Sequence, residues 1–407
     1  MVDLEFIRRL VVTADTRIVF LVMDGLGGLP MREGGFTELE AARTPNLDAL
    51  ATRSTCGSTV PISAGITPGS GPGHLAMFGY DPCRYLIGRG VLEALGIDFD
   101  LGPQDVAGRG NFCSLDASGN ITDRRAGRIS TEQCVELTAL LNAQIRLPGV
   151  DLFVRPVKEH RFVLVLRGNG LAGELSESDP QQLGVAPLAI HALDEANDKA
   201  ASQRTAGLVN EFARQARLIL AERHPANMIL LRGLDKRPEL PSMSDVFGLR
   251  AAAIAVYPMY RGLAKLVGMT ALPSGTSLAD EFATLERAWT QYDFFYLHFK
   301  YTDSRGEDGD FAAKVAMIEE FDTFLPRVLA LNPDVLVVTG DHSTPAALKA
   351  HSWHPVPTLL YSLYCRPDDV LKFSERTCLH GGLGVFAATD LMPLALANAL
   401  RLTKFGA

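Results

Sequence analysis

The segment RIVFLVMDGLGG, residues 17–28, indicates the fold class of this 407-residue chain. Residues 18–23 form an unbroken apolar run with β-branched side chains, and glycines follow soon after it. Such a run predicts a buried parallel strand that ends in a loop at the carboxyl edge of its sheet. Asp24 stands at that edge, where ligands of α/β proteins usually bind, so it is a candidate functional residue.

Three later apolar runs resemble the first one and occupy residues 294–300, 334–341 and 358–361. Helical patterns lie along the same chain, notably at residues 44–51 and 314–330. Strands that alternate with helices are typical of an α/β protein, so we predict a doubly wound parallel sheet.

The middle of the chain has a different hydrophobic pattern. Between residues 102 and 186 the apolar segments are shorter and the sequence is more polar, and the alternation in 161–167 predicts strands of a separate sheet. We therefore predict a smaller α+β domain, residues 105–186, inserted into a core domain formed by residues 1–104 and 187–407.

Composition excludes several classes of protein. The net charge of −8 argues against nucleic acid as the main partner. No apolar run approaches the roughly 18 residues needed to span a bilayer, and the first ten residues are a poor signal peptide, so no membrane partner is expected. The six cysteines include no Cys-x-x-Cys pair, which favours free thiols in a reducing cytoplasm.

Carboxylates and imidazoles follow the predicted strands. They are Asp24, Asp303, Asp341, His342 and His351. Parallel strands end at one edge of a sheet, so these side chains could meet in one crevice. Mixed oxygen and nitrogen donors suit Mn²⁺ or Zn²⁺, whereas Ca²⁺ prefers oxygen alone. Each residue could instead cap a helix or form a turn, but their repeated placement at strand ends favours a metal centre.

Ser70 lies in the glycine- and proline-rich segment TPGSGPGH, residues 67–74, just before a helical pattern. A helix N-terminus favours a bound phosphate, and a nearby divalent cation would lower the pKa of the hydroxyl and make it a nucleophile. The alternative is an ordinary N-cap serine in a tight loop.

Taken together, these segments resemble the archaeal-type 2,3-bisphosphoglycerate-independent phosphoglycerate mutases of the alkaline phosphatase superfamily. The matching segments are Leu21–Gly28, Thr44–Ala51, Pro68–Pro82, Val91–Gly96, Asp123–Ile129, Asp303–Asp310, Gly340–Pro345 and His351–Pro357. The resemblance spans nearly the whole chain. It implies an alkaline-phosphatase-like core, and an isomerase that interconverts 3-phosphoglycerate and 2-phosphoglycerate in glycolysis and gluconeogenesis without 2,3-bisphosphoglycerate.

The resemblance also implies two divalent metal ions, with Mn²⁺ expected and Mg²⁺, Co²⁺ or Zn²⁺ as alternatives. By motif match, one ion would be held by Asp24, Ser70, Asp341 and His342. The other would be held by Asp303, Glu307 and His351. Glu307 stands where family members often have histidine, and its carboxylate is a suitable ligand for Mn²⁺ or Mg²⁺.

The implied mechanism passes through phosphoserine at Ser70, with the inserted domain closing to exclude water. Asp123, beside Arg124, is the candidate acid or base that exchanges the glycerate hydroxyl proton. Candidate substrate-binding cations are Arg124, Arg128, Arg161, Arg261 and Lys300. For each arginine the alternative is a solvated basic turn.

Other functions are possible for a protein with the same core. A metal-dependent phosphatase would release free phosphate, and a phosphopentomutase would isomerise a pentose phosphate. The replacement at Glu307 motivates a further alternative, a non-catalytic protein that binds a phosphorylated ligand. The fold alone does not choose among these functions.

Overall fold

The computed structural model describes residues 3–406 and divides the chain into two compact units. The larger unit runs to Leu86 and resumes at Leu240, and the smaller unit is the inserted segment Ile87–Glu239. Each unit has its own hydrophobic core. No helix within residues 3–406 is long and apolar enough to cross a membrane.

The strands, in chain order, are β1 Ile18–Met23, β2 Thr55–Val60, β3 Val106–Leu115, β4 Ile121–Asp123, β5 Asp151–Lys158, β6 Arg161–Arg167, β7 Met228–Lys236, β8 Ala251–Ala255, β9 Thr270–Ala271, β10 Phe294–Phe299, β11 Val335–Thr339, β12 Val356–Ser362 and β13 Gly384–Ala387. The helices are α1 Leu4–Leu10, α2 Glu38–Ala41, α3 Pro45–Ala51, α4 Ser70–Met77, α5 Arg89–Gly96, α6 Thr131–Gln144, α7 Lys199–Leu220, α8 Met243–Phe247, α9 Pro258–Leu266, α10 Leu278–Ala288, α11 Tyr301–Asp308, α12 Phe311–Leu329, α13 Glu375–Cys378 and α14 Leu391–Asn398. Short 3₁₀ turns occupy Ala126–Arg128 and Ala388–Asp390.

The larger unit is built on one sheet with the strand order β13-β2-β12-β11-β1-β10-β8-β9. At its centre β1 lies between β10 and β11 and runs parallel to both. Every residue of β1 is buried, as expected for a strand covered on both faces. The predicted α/β class and the strands at 17–23, 294–300 and 334–341 are therefore confirmed.

The prediction of an entirely parallel sheet is wrong at β12, which runs antiparallel to both β11 and β2. A parallel return needs a crossover that is usually helical. In the described chain, residues 340–355 between β11 and β12 contain no helix. The chain therefore turns back directly, and the returning loop carries several candidate site residues.

The smaller unit is an antiparallel sheet in the order β4-β3-β6-β5, with β7 also paired to β3. Helices α5, α6 and α7 pack against these strands, which is an α+β arrangement. Its limits, 87 and 239, lie outside the predicted limits, 105 and 186. The reason is that β7, although distant in sequence, completes the sheet beside β3, and α7 contributes Val209 and Phe212 to the same core.

Candidate active site

The carboxyl ends of β1, β10 and β11 bring candidate residues together in the larger unit. Asp24 follows β1, Asp303 lies in the first turn of the helix after β10, and Asp341 and His342 follow β11. All four side chains are buried, with relative exposures of 0–1%. These residues meet at one edge of the sheet, as expected, because the three strands are parallel.

The first group of ligand atoms consists of Asp24 Oδ1, Asp341 Oδ2 and His342 Nε2. The imidazole nitrogen lies 3.3 Å from the Asp24 oxygen and 3.1 Å from the Asp341 oxygen. Both carboxylate oxygens are buried and accept no hydrogen bond from any residue between 3 and 406. Buried acceptors normally have a partner, so this group fits a divalent cation that takes oxygen and nitrogen ligands.

Ser70 borders this group. Its Oγ lies 3.2 Å from His342 Nε2. Gly69 is the N-cap of α4, which makes Ser70 the first helical residue and rules out the simple N-cap alternative. The hydroxyl therefore sits at the amino end of a helix, where backbone N–H groups and the helix dipole favour an anion.

The second group comprises Asp303, His342 and His351. His351 Nε2 lies 3.5 Å from Asp303 Oδ1, and the His342 and His351 rings stack at 3.7 Å. Glu307 Oε1 is 3.9 Å from His351 Nε2, at the exposed side of the group. Thr344 Oγ1 donates to Asp303 Oδ1 at 2.6 Å and thereby orients that carboxylate.

Lys300 lies between the two groups rather than apart from them. Its Nζ donates to Asp24 Oδ2 at 3.1 Å and also to Asp303 Oδ2. The sequence predicts Lys300 only as a substrate-binding cation, so its contact with both acids is new. Arg261, the other predicted cation of this unit, donates from Nη1 to the carbonyl oxygen of Leu272 at 3.2 Å.

Sequence reasoning missed two buried histidines of the site. His298 Nε2 lies 3.0 Å from Asp24 Oδ2, and His74 Nδ1 lies 3.1 Å from Asp341 Oδ2. His74 Nδ1 is also 2.8 Å from the carbonyl oxygen of Ser70, one helical turn earlier, and this shorter contact is its hydrogen bond. The available signal was a histidine within each otherwise apolar segment.

Charges within the site set its protonation. Burial alone would raise the pKa of Asp24, but Lys300 and the neighbouring histidines hold that pKa well below its usual range. Burial and Asp24 would also raise the pKa of Asp341, yet the histidines beside it keep that pKa lowered. Burial lowers the pKa of His342. Ionised carboxylates and a neutral imidazole are the forms that bind a metal.

Asp123 and Arg128 belong to a strained turn of the smaller unit. Asp123 accepts hydrogen bonds from the backbone N–H groups of Arg125 at 2.7 Å and Gly127 at 2.6 Å. Arg128 has a φ of 53°, which an L residue adopts only at a cost. Strained backbone of this kind is concentrated at functional sites, and the Asp123 carboxylate holds it in place.

Arg124 is engaged by an acid. Its Nε and Nη2 donate to the two carboxylate oxygens of Asp179 at 2.9 and 2.6 Å, and the Asp179 side chain is fully buried. A bidentate pair of this kind holds the guanidinium in one orientation. Arg124 is therefore a structural anchor in this structure, and its catalytic and substrate-binding roles stay predictions.

A cluster of cations surrounds the buried His160 in the smaller unit. Burial lowers the pKa of His160 to about 4, and the positive charges around it add to the effect. These charges belong to Arg161, Arg109, Arg125 and Arg128. Two of them, Arg161 and Arg128, are the substrate-binding candidates that the sequence predicts in this part of the chain.

Comparison of the sequence with known proteins finds similarity to one enzyme family. The sequence family described as 2,3-bisphosphoglycerate-independent phosphoglycerate mutase matches residues 51–227. A protein of Thermotoga neapolitana described as a probable 2,3-bisphosphoglycerate-independent phosphoglycerate mutase is 51% identical over 405 residues, which cover 99% of each chain. A protein of Thermus thermophilus with the same description is 51% identical over 396 residues, or 96% of each chain.

Two solved structures are similar to this chain in both sequence and fold. A cofactor-independent phosphoglycerate mutase of Thermoplasma acidophilum is 28% identical, with a TM-score of 0.67 over 94% of this chain and 100% of that one. A protein of Pyrococcus horikoshii is also 28% identical, with a TM-score of 0.83 over 97% of this chain and 100% of that one.

Proposed function

The chain belongs to the family of 2,3-bisphosphoglycerate-independent phosphoglycerate mutases, and on that premise we propose how its own residues carry out the reaction. It is an isomerase that interconverts 3-phosphoglycerate and 2-phosphoglycerate and needs no 2,3-bisphosphoglycerate. Divalent metal ions belong to this chemistry, and the two ligand groups in the larger unit are the candidate sites.

One ion would be held by Asp24, Asp341 and His342, with Ser70 beside them. The second would be held by Asp303 and His351, with Glu307 within reach, and the His342 ring stacks on that of His351. When bound, such cations neutralise phosphoryl charge and lower the pKa of a nearby hydroxyl. Mixed oxygen and nitrogen ligands favour Mn²⁺, with Mg²⁺, Co²⁺ and Zn²⁺ as alternatives.

Ser70 is the proposed nucleophile. Its Oγ gives up its proton and forms a bond to the phosphorus of 3-phosphoglycerate while the bond from phosphorus to the glycerate 3-oxygen breaks, and that oxygen takes up a proton. The glycerate then reorients, and its 2-hydroxyl gives up a proton and attacks the phosphorus of phosphoserine. The bond from phosphorus to Ser70 Oγ breaks, and Oγ takes up a proton. The position of Ser70 Oγ, 3.2 Å from His342 Nε2 at the start of a helix, is the observation that carries this proposal.

For the smaller unit we propose an anion-binding role. The arginines around His160, among them Arg128 and Arg161, would bind an anionic phosphoglycerate, because guanidinium groups match carboxylate and phosphate geometry. Asp123 remains the proposed acid or base. Each of its two carboxylate oxygens accepts one backbone N–H and keeps a second lone pair that is available for a proton. Arg124, engaged by Asp179, would anchor this turn.

We also propose that the enzyme acts in the cytoplasm. All six cysteines lie in the described range and are free thiols, which suits a reducing compartment.

The test is an assay of purified protein with 3-phosphoglycerate, Mn²⁺ and no 2,3-bisphosphoglycerate, in which 2-phosphoglycerate and free phosphate are both followed. We expect 2-phosphoglycerate as the product and a loss of activity in Ser70→Ala with the fold retained. Mass spectrometry of the quenched enzyme should find one phosphoryl group on the peptide containing Ser70. Ser63→Ala, an exposed serine of the same loop, is the matched control and should stay active.

Two outcomes would contradict the proposal. An active Ser70→Ala variant would exclude this serine as the nucleophile. Free phosphate as the main product would mean that water is the acceptor, and the chain would then behave as a metal-dependent phosphatase.

A further inference from the structure

The two oxygens of the Asp24 carboxylate have different surroundings. Oδ2 accepts hydrogen bonds from His298 Nε2 at 3.0 Å and from Lys300 Nζ at 3.1 Å. Oδ1 is buried, accepts no hydrogen bond from the residues that the structure describes, and faces His342 Nε2 at 3.3 Å. One oxygen is thus held by the protein, and the other points to the first ligand group.

The hydrogen bond fixes the tautomer of His298. The ionised Asp24 can only accept, so the hydrogen of the neutral ring is on Nε2 and Nδ1 is an acceptor. Within residues 3–406, nothing donates to that Nδ1 atom. This unpaired acceptor nitrogen belongs to a ring that lies among the aromatic side chains of Tyr260 and Tyr296.

Packing holds the His298 ring in this orientation. The residue is 1% exposed, and its ring stacks on Tyr260 with centroids 3.7 Å apart and planes at 27°. Tyr296 and His74 approach other parts of the ring, with centroids at 5.8 and 5.2 Å. Lys300 reaches the same Asp24 oxygen through a long flexible chain and also contacts Asp303, so it is the less rigid of the two donors.

From these contacts we propose that His298 is a positioning residue, which holds Asp24 Oδ2 so that Asp24 offers only Oδ1 to the first metal ion. This inference rests on the proposed metal site of the preceding section and adds a residue to it. A carboxylate rotates easily about its last side-chain bond. Without His298, Asp24 would turn toward Lys300 and lose the orientation that the ligand group needs.

The test compares two variants that differ in one hydrogen bond. In His298→Leu the ring is replaced by an apolar side chain without a donor. In His298→Gln the side-chain amide can place an N–H close to the position of Nε2. Binding of Mn²⁺ alone is measured by isothermal titration calorimetry, and the electron paramagnetic resonance spectrum of the bound ion is recorded for each protein.

We expect His298→Leu to weaken one Mn²⁺ site by about 10- to 100-fold, the usual effect of losing a partner that orients a ligand. His298→Gln should keep most of the affinity and a spectrum like that of the unsubstituted protein. A role in packing alone would predict the reverse order, because leucine suits an apolar core better than glutamine does. Rescue by glutamine therefore separates positioning from packing.

Controls assign the site and the fold. Asp24→Asn identifies which Mn²⁺ site is being followed, and His380→Leu repeats the histidine-to-leucine change at an exposed position. Near-ultraviolet circular dichroism shows whether each variant retains its core. If His298→Leu binds Mn²⁺ as the unsubstituted protein does, or if the glutamine variant is the weaker one, the inference is overturned while the proposed function stands. If the unsubstituted protein binds no Mn²⁺, this inference is overturned, whereas the assay with Ser70→Ala still tests the proposed function.

Discussion

Glu307 is a proposed ligand of the second group, at a position where the family resemblance implies histidine. Its Oε1 lies 3.9 Å from His351 Nε2, and the side chain is 57% exposed. Burial and the nearby Asp303 charge raise its pKa. A carboxylate in this position suits Mn²⁺ or Mg²⁺, which prefer oxygen ligands more strongly than Zn²⁺ does.

As a proposed ligand, Glu307 should matter for metal affinity. Glu307→Gln should weaken one of the two Mn²⁺ sites by at least about 10-fold, which is the lower limit of the loss seen when a residue that only supports a metal ligand is changed. Stoichiometry measured by titration calorimetry checks this, since only the second site should be affected. Asp308→Asn is the matched control, because this neighbouring acid is 63% exposed and faces Arg305 at 3.5 Å. Equal affinities in both variants would remove Glu307 from the metal site.

At the scale of an element, helix α4 owes its position to a glycine. A Cβ atom added at Gly73 would lie 2.3 Å from the backbone carbonyl oxygen of Asp341. This contact is possible only for glycine, and it lets the helix approach the end of β11 closely. Ser70 begins the same helix, so the glycine helps to set the distance between the proposed nucleophile and the ligand group.

We expect Gly73→Ala to push α4 away from the end of β11. The change should cost about 1–3 kcal/mol in the free energy of unfolding, as overpacking usually does. It should also lower kcat by roughly 100-fold, the effect of displacing a reacting group by about 1 Å. Steady-state kinetics and denaturant unfolding measure the two effects.

Gly207→Ala tests whether such an effect belongs to the site or to any helical glycine. A Cβ atom there would meet no described atom within 4 Å, so this change in α7 should leave kcat unaltered. It should stabilise the protein by about 0.5–1 kcal/mol, because alanine favours the helix. Normal activity in Gly73→Ala would show that α4 tolerates a shift.

At the scale of the whole molecule, the protein and its substrate carry charge of the same sign. A chain with a charge of −8 repels an anionic phosphoglycerate over long distances. Under the proposed function, attraction comes from local positive charge, supplied by the proposed metal ions and by arginines such as those around His160.

Removal of the metal ions should therefore reduce substrate binding as well as turnover. After chelation and exchange into metal-free buffer, we expect the Kd for 3-phosphoglycerate to rise at least about 10-fold, since each lost charge interaction is worth more than about 1.4 kcal/mol in a buried site. Titration calorimetry before chelation, after it and after addition of Mn²⁺ measures the change. Micromolar binding by the stripped protein would contradict the prediction.

Several features followed from local sequence alone. The apolar run 18–23 predicted a buried parallel strand, and the acids placed at strand ends predicted a cluster at one sheet edge. Both predictions succeed because burial of a strand and placement of its last residue depend on neighbouring residues in the chain. The resemblance to the mutase family, carried by short ordered motifs, belongs to the same category.

Other features were decided only by the tertiary structure. The insertion extends to Glu239 because β7 pairs with the distant β3, and β12 is antiparallel because its chain returns directly. Contacts such as His298 with Asp24 and Arg124 with Asp179 join residues far apart in sequence. A local pattern shows that a side chain is buried, but its partner depends on which segments fold beside it.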